Sequence, residues 1–162
     1  MLKELLTIAA ITLIPFLELR ASIPYGIITY GRENWLFIFI VAILANILIG
    51  IIIYILLDWI ILILTKIRFV KRIYDKYIIR LQKKIDKGVV TYGILSVGLF
   101  IGIPLPGTGV YSGALVAKLL GMKKRHFFLA TIIGVLMAGI IVTIVMLSGA
   151  SALEIFIKRG FT

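Results

Sequence analysis

Glu18 and Arg20 stand two positions apart in PFLELRASIP, residues 15–24, between two apolar stretches of the chain. A charge inside a bilayer costs about 2.5 to 3.5 kcal/mol on insertion scales, so an intramembrane charge indicates a functional site. Glu18 has the chemistry to exchange a proton or bind a cation, and Arg20 to hold an anionic head group or to orient Glu18. Two alternatives stay open: an ion pair that only satisfies a break in the chain, or a hydrated loop at the outer interface.

A second segment, PLPGTGVYSG at residues 104–113, carries no charge but offers many backbone amides. Gly107 and Gly109 permit positive φ angles, and a helix beginning near Val110 would direct its first N–H groups at the break. Such a terminus attracts phosphate or carboxylate, which makes Gly107, Thr108 and Gly109 candidate binding residues. Packing is the alternative for these three. Close helix packing is the favoured interpretation for the nearby small residues, namely Gly98, Gly102 and Gly113.

Three further polar residues interrupt the apolar stretches, and each has a structural alternative. Lys118 could reach inward to a head group or extend to the cytoplasmic interface, which we favour. Asp58, near the end of a long apolar run, is interpreted as interfacial rather than as a proton relay, with ion coupling left open. Asn46, in the middle of the same run, is expected to hydrogen-bond across helices as a structural contact.

The remaining composition excludes several classes of function. The chain has no Cys and His126 is its only histidine, so we predict no metal site and no cofactor. The net charge of +11 suggests nucleic acid, but the basic residues flank apolar runs, where orientation in a membrane explains them; we predict no nucleic-acid partner. No hydrolase, kinase, dinucleotide or zinc motif is present, and no carboxylate lies between Asp86 and Glu154, which argues against an enzyme.

The candidate residues must be positioned by helices in a membrane, because 62% of the chain is hydrophobic and its mean hydropathy is +1.16. A crossing helix needs roughly 20 apolar residues, and the runs that qualify are residues 36–64 and 127–147. The shorter runs, residues 5–17 and 89–103, are typical of re-entrant hairpins. Four prolines interrupt the helical pattern, either at the end of these shorter runs or in the segments that follow them: Pro15, Pro24, Pro104 and Pro106.

The two halves of the chain contain the same kinds of segment in the same order. Each has a short apolar segment, a break that contains proline, a second short apolar segment, a polar segment that begins with glycine, and a long apolar span. Nine lysines and arginines from Lys66 to Lys87 place the connector between the halves in the cytoplasm. The basic residues 123–125 should lie there too, which requires residues 89–121 to enter and leave on one side. The second half is then inverted relative to the first, and both termini lie outside.

We therefore predict an all-α integral membrane protein, multi-pass in the plasma membrane and made of one domain. Its connector is expected to lie on the inner leaflet as an amphipathic helix, with a solvated linker as the alternative. The predicted parts are repeat one at 1–65, the connector at 66–88, repeat two at 89–149 and a C-terminal tail at 150–162.

The segments ELRASIPYG and PLPGTGVYSGALVAKLLGM resemble the small multidrug export protein family, a relative of the DedA (VTT or SNARE-associated) membrane proteins, over nearly the whole chain. The resemblance implies re-entrant hairpins in inverted arrangement, and movement of lipid carriers or phospholipids between leaflets or proton-dependent drug tolerance. It implies that Glu18 is the acidic residue of the first hairpin and residues 104–113 the tip of the second. DedA tips normally contain arginines, whereas this chain has none between Arg80 and Arg125; DedA phosphate-lipid chemistry would here require Arg20 or Lys118.

Three functions follow from these interpretations. The first is a DedA-like, ion-coupled carrier or flippase for a lipid carrier or another amphiphile with an anionic head group, using Glu18 for coupling and Arg20 with the amides of residues 107–109 for the head group. The second is an exporter of cationic amphiphiles with Glu18 as counter-ion. The third is a non-transporting scaffold whose connector recruits lipid or a partner. Membrane lipids and a small amphiphilic substrate are the predicted partners, and a homodimer would enclose a path more easily than one small chain.

Overall fold

The regular structure is entirely helical over the residues that the computed structural model describes, which are 2–64, 66, 87–105 and 107–160. In chain order the helices are α1 (Leu2–Thr12), α2 (Glu18–Tyr30), a short 3₁₀ helix (Arg32–Asn34), α3 (Trp35–Leu64), α4 (Lys87–Gly102), α5 (Val110–Leu119) and α6 (Lys124–Gly160). The predicted all-α class is confirmed. The predicted connector, residues 66–88, lies outside the described residues except at its two ends.

The two longest helices are long and apolar enough to cross a membrane, over Arg32–Ile63 and Lys124–Gly149. They agree with the two long spans that hydropathy predicts. α6 continues past its apolar part to Gly160, through most of the segment predicted as a tail. The helix does not stop there because SALEIFIKRG contains no proline and includes several residues of high helix propensity.

α3 and α6 pack against each other in opposite directions. At one end, Arg32 donates from Nη2 to the carbonyl oxygen of Leu147 at 2.6 Å. At the other end, the ring of Tyr54 stacks on that of Phe127, with ring centres 4.4 Å apart. Residue number thus rises along one helix as it falls along the other, and the two long helices form an antiparallel pair.

Each half also contains two shorter helices joined by an irregular break. Residues 13–17 separate α1 from α2, and residues 103–109 separate α4 from α5. Both pairs pack on the long antiparallel helices. The residues of the first break, 13–17, are exposed, whereas Glu18, which follows it, is buried.

The first break is shorter than the sequence predicts, because α2 resumes at Glu18 and runs through Pro24. A proline inside a helix removes one backbone hydrogen bond and costs about 3 kcal/mol, which is why the sequence predicts an interruption there. Ser22 and Ile23, directly before the proline, are fully buried. Packing against neighbouring helices therefore keeps the backbone helical where local propensity would end it.

Glycines bring α4 and α6 into close contact, as their spacing predicts. A Cβ atom on Gly98 would lie 3.3 Å from the carbonyl oxygen of Ala130, and one on Gly134 would lie 2.5 Å from that of Gly98. Side chains would therefore force the two helices apart. Gly102 approaches Gly134 and Gly113 approaches Ile101 at comparable distances, which confirms the packing role predicted for the three glycines of α4 and α5.

Candidate functional site

Glu18 is the first residue of α2, and its carboxylate is buried where the two breaks meet. Its side chain is only 3% exposed. The backbone N–H of Val110 donates to Oε2 at 3.2 Å, and Nδ2 of Asn46 lies 3.5 Å from the same oxygen. Val110 begins α5, so Glu18 supplies from another helix the negative charge that a helix N-terminus attracts. The anion expected at this terminus is thus a carboxylate of the chain itself.

Gly109 is required by this contact. Its φ of +124° lies in a region that side chains other than glycine rarely adopt, and a Cβ atom there would lie 2.5 Å from Oε2 of Glu18. Gly107 also has a positive φ, +89°, but a Cβ atom there would meet nothing within 4 Å. Of the two predicted glycines, only Gly109 shapes the space around the acid.

Arg20 joins the first half to the second break. Its guanidinium donates to the carbonyl oxygens of Leu105 and Ile103, the latter at 3.2 Å, and to Oγ1 of Thr108 at 2.7 Å. The hydroxyl of Thr108 contacts the same two carbonyls, at 2.6 Å for Ile103 and 2.8 Å for Leu105. Arg20 and Thr108 therefore supply donors to carbonyls that lost their helical partners when α4 ended.

Two further hydrogen bonds hold the first break in place. The hydroxyl of Tyr111, on α5, donates to the carbonyl oxygen of Leu13 at 2.5 Å. Within the first half, Thr12 at the end of α1 donates to Oγ of Ser22 on α2 at 2.6 Å. Sequence reasoning missed both, because a tyrosine and a threonine in apolar arms carry no signal that distinguishes a tertiary contact from an ordinary core position.

Buried polar groups continue from Glu18 into the long helices. Asn46 is 1% exposed and Thr131 is fully buried, yet Oδ1 of Asn46 and Oγ1 of Thr131 have no hydrogen-bond partner among the described residues. Gly50, one turn after Asn46, lets Val110 and Thr131 approach α3 closely, since a Cβ atom there would lie 3.2 Å and 3.3 Å from their side chains. The centre of the fold thus combines one acid with unused hydrogen-bonding capacity, which in water-excluded surroundings is unfavourable unless a ligand, a water or a proton uses it.

Lys118 and Asp58 form a separate ion pair, away from this centre. Their side chains are in direct contact, with Lys118 10% and Asp58 41% exposed. Nζ of Lys118 also lies 3.7 Å from the centre of the Tyr54 ring, and Lys124 approaches Asp58 at 3.9 Å. Asp58 is about 18 Å further along α3 than Asn46. The structure therefore brings Glu18, Arg20, Thr108 and Gly109 together. Gly107 lies in the same break without shaping the space around the acid, and Lys118 and Asp58 lie elsewhere.

Two cavities flank the long helices. One of about 270 Å³ lies between α3 and the start of α6, lined by apolar side chains together with Lys124 and Arg125. The other, of about 190 Å³, is lined by α1, the end of α2, the 3₁₀ helix and the beginning of α3, with Glu4, Tyr30 and Asn34 as its polar members. Among the residues described, no cluster of three His, Cys, Asp or Glu side chains that could hold a metal is present.

Two long apolar helices, with a charged cluster enclosed where broken helices meet, define an α-helical membrane protein. Residues 18–141, well over half of the chain, match the family described as "Putative small multi-drug export protein", and the chain belongs to that family. The predicted resemblance to this family is confirmed, whereas a relationship to the DedA proteins stays a prediction. Searches of curated proteins and of solved structures found no match.

Proposed function

We propose that this protein exports small cationic amphiphiles across the membrane, with Glu18 as the acid to which substrate and coupling ion bind in turn. The family supports export of small molecules. The observation that carries the proposal is the burial of the Glu18 carboxylate at the junction of both halves, where it is 3% exposed. A single buried acid suits alternating occupation by a proton or a cation, since either neutralises it. The proposal includes no enzymatic step, metal or cofactor.

The arrangement around Glu18 favours a cationic over an anionic substrate at this site. Both groups that the sequence offers to an anion are already engaged: the Val110 amide by Glu18, and the Arg20 guanidinium by the second break. An anion entering here would have to displace a carboxylate of the chain. A cation or a proton would instead neutralise the carboxylate without displacing a charged group of the chain.

The proposed path runs between the two breaks, with α1–α2 and α4–α5 acting as re-entrant hairpins in inverted halves. Irregular backbone at membrane depth is tolerated only when it is buried in protein or lines a polar cavity. Phe16 and Glu18 both have positive φ angles, 70° and 49°, which are uncommon for side chains other than glycine and often accompany functional breaks. Movement of one hairpin against the other would expose Glu18 to either side.

The test is export by purified protein in liposomes, with a fluorescent lipophilic cation as substrate and a pH gradient as driving force. Glu18→Gln keeps an oxygen for the Val110 amide but removes the charge. Losing a charge-assisted contact worth about 1.5 to 3 kcal/mol corresponds to a roughly 10- to 100-fold loss of affinity. The control is Glu33→Gln, an exposed carboxylate of the 3₁₀ helix, which should export normally. Equal export by both variants would refute the role of Glu18.

A second candidate, movement of an amphiphile with an anionic head group, is favoured by one observation. The cavity of about 270 Å³ between α3 and α6 combines apolar walls with Lys124 and Arg125. Apolar walls suit an acyl chain, and the two basic side chains suit a phosphate. This is the DedA-like function, with the head group placed at these residues instead of Arg20.

One double substitution separates the two candidates. Replacing Lys124 and Arg125 by Gln should slow the movement of a labelled anionic phospholipid between leaflets if the second candidate is right, while export of the lipophilic cation is unchanged. If neither labelled lipid nor lipophilic cation moves in wild-type liposomes, both transport functions are wrong and the scaffold function is left.

A further inference from the structure

Among the residues that the structure describes, Asn46 is the one side chain of α3 that hydrogen-bonds to the buried acid, and the carbonyl half of its amide has no partner there. Its Nδ2 lies 3.5 Å from Oε2 of Glu18, at the long limit for a hydrogen bond. Its carbonyl oxygen Oδ1 is buried and has no partner among the described residues. An amide carbonyl left unpaired in the core costs about 1–3 kcal/mol. We therefore expect the oxygen of Asn46 to accept a hydrogen bond in another state of the protein.

An asparagine amide can present either of its ends to a neighbour. The NH₂ group donates and the carbonyl oxygen accepts, and rotation about the last side-chain bond exchanges them. An ionised Glu18 only accepts hydrogen bonds, so it selects the NH₂ group. A protonated Glu18 has an O–H that must donate, and the unused oxygen of Asn46 is the acceptor at hand.

We propose that Asn46 is a positioning residue for proton exchange at Glu18, turning its NH₂ group to the carboxylate and its carbonyl oxygen to the carboxylic acid. The inference rests on the proposed function in that Glu18 exchanges an ion, and it names that ion as the proton. No covalent bond changes except the O–H of Glu18: the proton arrives from water on one side of the membrane and leaves to water on the other. The Val110 amide donates to Oε2 of Glu18 in the structure, and we expect it to keep this contact in both states.

Of the described groups around Glu18, Asn46 is the one whose hydrogen bond can change when the charge on Glu18 changes. Arg20 on α2 and Tyr111 on α5 are the titratable side chains that act on Glu18 within the described residues, and both use their donors on carbonyl oxygens of the breaks. α6 faces this region with Thr131, which does not titrate. A change of charge on Glu18 is therefore answered most directly by rotation of the Asn46 amide.

The chain makes this rotation measurable, since Asn34 and Asn46 are its only asparagines. Protein labelled with ¹⁵N in asparagine alone, reconstituted in lipid, should give two side-chain amide signals in solid-state NMR. The Asn46 signal should move as pH is changed through the range in which the infrared carboxyl band of Glu18 appears. The Asn34 amide, which donates to the Tyr30 carbonyl oxygen at 2.6 Å, should stay fixed as an internal control.

Glu18→Gln decides the assignment, because glutamine carries both a donor and an acceptor and so resembles the protonated acid. In this variant the Asn46 signal should match that of wild-type protein at low pH and should no longer respond to pH. A carboxyl band that is lost in Glu18→Gln identifies Glu18 in the infrared spectrum. Absence of such a band at every pH, or an Asn46 signal that ignores it, overturns the proposal.

Substitution of Asn46 itself gives a second measurement. Asn46→Leu keeps the branched shape of the side chain but removes the acceptor, so the carboxyl band of Glu18 should shift to the higher frequency of an acid without a hydrogen bond. Asn46→Thr, whose hydroxyl donates and accepts, should restore the wild-type frequency. Thr143→Val removes another buried hydroxyl, about 18 Å further along α6 than Thr131, and should leave the band unchanged. If Asn46 had only a structural role, substituting it would destabilise the protein without moving the band.

This result stands apart from the transport assay. If the amide follows Glu18 but liposomes export no lipophilic cation, the export proposal is wrong and the proton site is right. If export depends on Glu18 but the Asn46 amide does not respond to pH, the present inference is wrong. Either the coupling ion is not the proton, or Asn46 takes no part in proton exchange.

Discussion

At the scale of single residues, the protein uses its few polar groups to satisfy one another across the two halves. The Glu18 carboxylate accepts from the start of α5, and the Arg20 guanidinium donates to the end of α4. Two residues of opposite charge, two positions apart on α2, thus contact opposite ends of the same break. Their sequence spacing suggests an ion pair, but their main partners are the backbone of the other half.

Gly109 offers a test of how closely Glu18 must approach α5. Gly109→Ala and Gly107→Ala both force a side chain into a positive-φ conformation, at about 1 to 2 kcal/mol each. Only Gly109→Ala also places a methyl group against the Glu18 carboxylate, since the position of Gly107 is open. We expect Gly109→Ala to abolish export and Gly107→Ala to reduce only thermal stability. Similar export by the two variants in the liposome assay would show that the Glu18–Val110 contact is dispensable.

Arg20→Lys tests whether the guanidinium joins the breaks. A lysine ammonium presents its donors from one point and cannot span the carbonyls of Ile103 and Leu105 and the Thr108 hydroxyl together. We expect a loss of about 1 to 2 kcal/mol, seen as a lower midpoint of thermal unfolding in detergent. The exposed Arg125→Lys is the control and should not shift the midpoint. An unchanged midpoint for Arg20→Lys would mean that these contacts add nothing to stability.

At the scale of helices, close packing depends on glycine at the α4–α6 contact and on burial in α2. The glycines of α4 face carbonyl oxygens and glycines of α6, so backbone meets backbone directly. In α2, burial of the residues before Pro24 preserves the helix through a proline. At the end of α5, Gly121 has a φ of +63°, and the amides of Gly121 and Met122 donate to the carbonyls of Lys118 and Ala117, which ends that helix in a Schellman motif.

Gly134→Ala tests the packing of α4 on α6. The added methyl group would lie 2.5 Å from the carbonyl oxygen of Gly98, a backbone atom that cannot move without shifting the helix. We expect a destabilisation of about 1 to 3 kcal/mol, measured by thermal unfolding in detergent. Gly93→Ala is the matched control: its methyl group would meet only Met122 Cε at 3.6 Å, an ordinary contact. Equal stability of the two variants would contradict the close approach of these helices.

At the scale of the whole molecule, the proposed arrangement is two halves inverted across a central polar cluster. The antiparallel α3 and α6 and the contact between the two breaks are consistent with it. Many apolar side chains of the long helices are exposed, for example Leu44 at 62% and Ile144 at 58%. Lipid, or a second copy of the chain in the homodimer that we propose, would cover these surfaces.

Single introduced cysteines can establish on which side of the membrane each position lies. The native chain gives no background labelling because it contains no Cys. We expect Lys66→Cys and Lys123→Cys to react with an impermeant maleimide from the cytoplasmic side, and Ser148→Cys from the outer side. Lys66 follows α3, Lys123 precedes α6, and Ser148 lies near the end of the apolar part of α6; all three are exposed. Reaction of Lys66→Cys and Lys123→Cys on opposite sides would mean that α4 and α5 cross the membrane instead of returning to the side they entered.

The sequence by itself determined the all-α class, the two long spans, the existence of two breaks and the choice of Glu18, Arg20, Thr108 and Gly109 as the residues to examine. These are local properties: hydropathy over about 20 residues, glycine and proline at defined positions, and charge within an apolar run. Patterns of this kind are readable because the membrane imposes them segment by segment.

The tertiary structure decided which of these residues meet and what each one contacts. Glu18 bonds to an amide 92 positions away, and Arg20 to a carbonyl 85 positions away. In the structure, Pro24 lies within α2 and not in the first break, and Lys118 pairs with Asp58 away from the central cluster. The physical reason is that such partners are chosen by packing and by the need to satisfy buried polar groups across the fold, and neither has a signature in any short stretch of sequence.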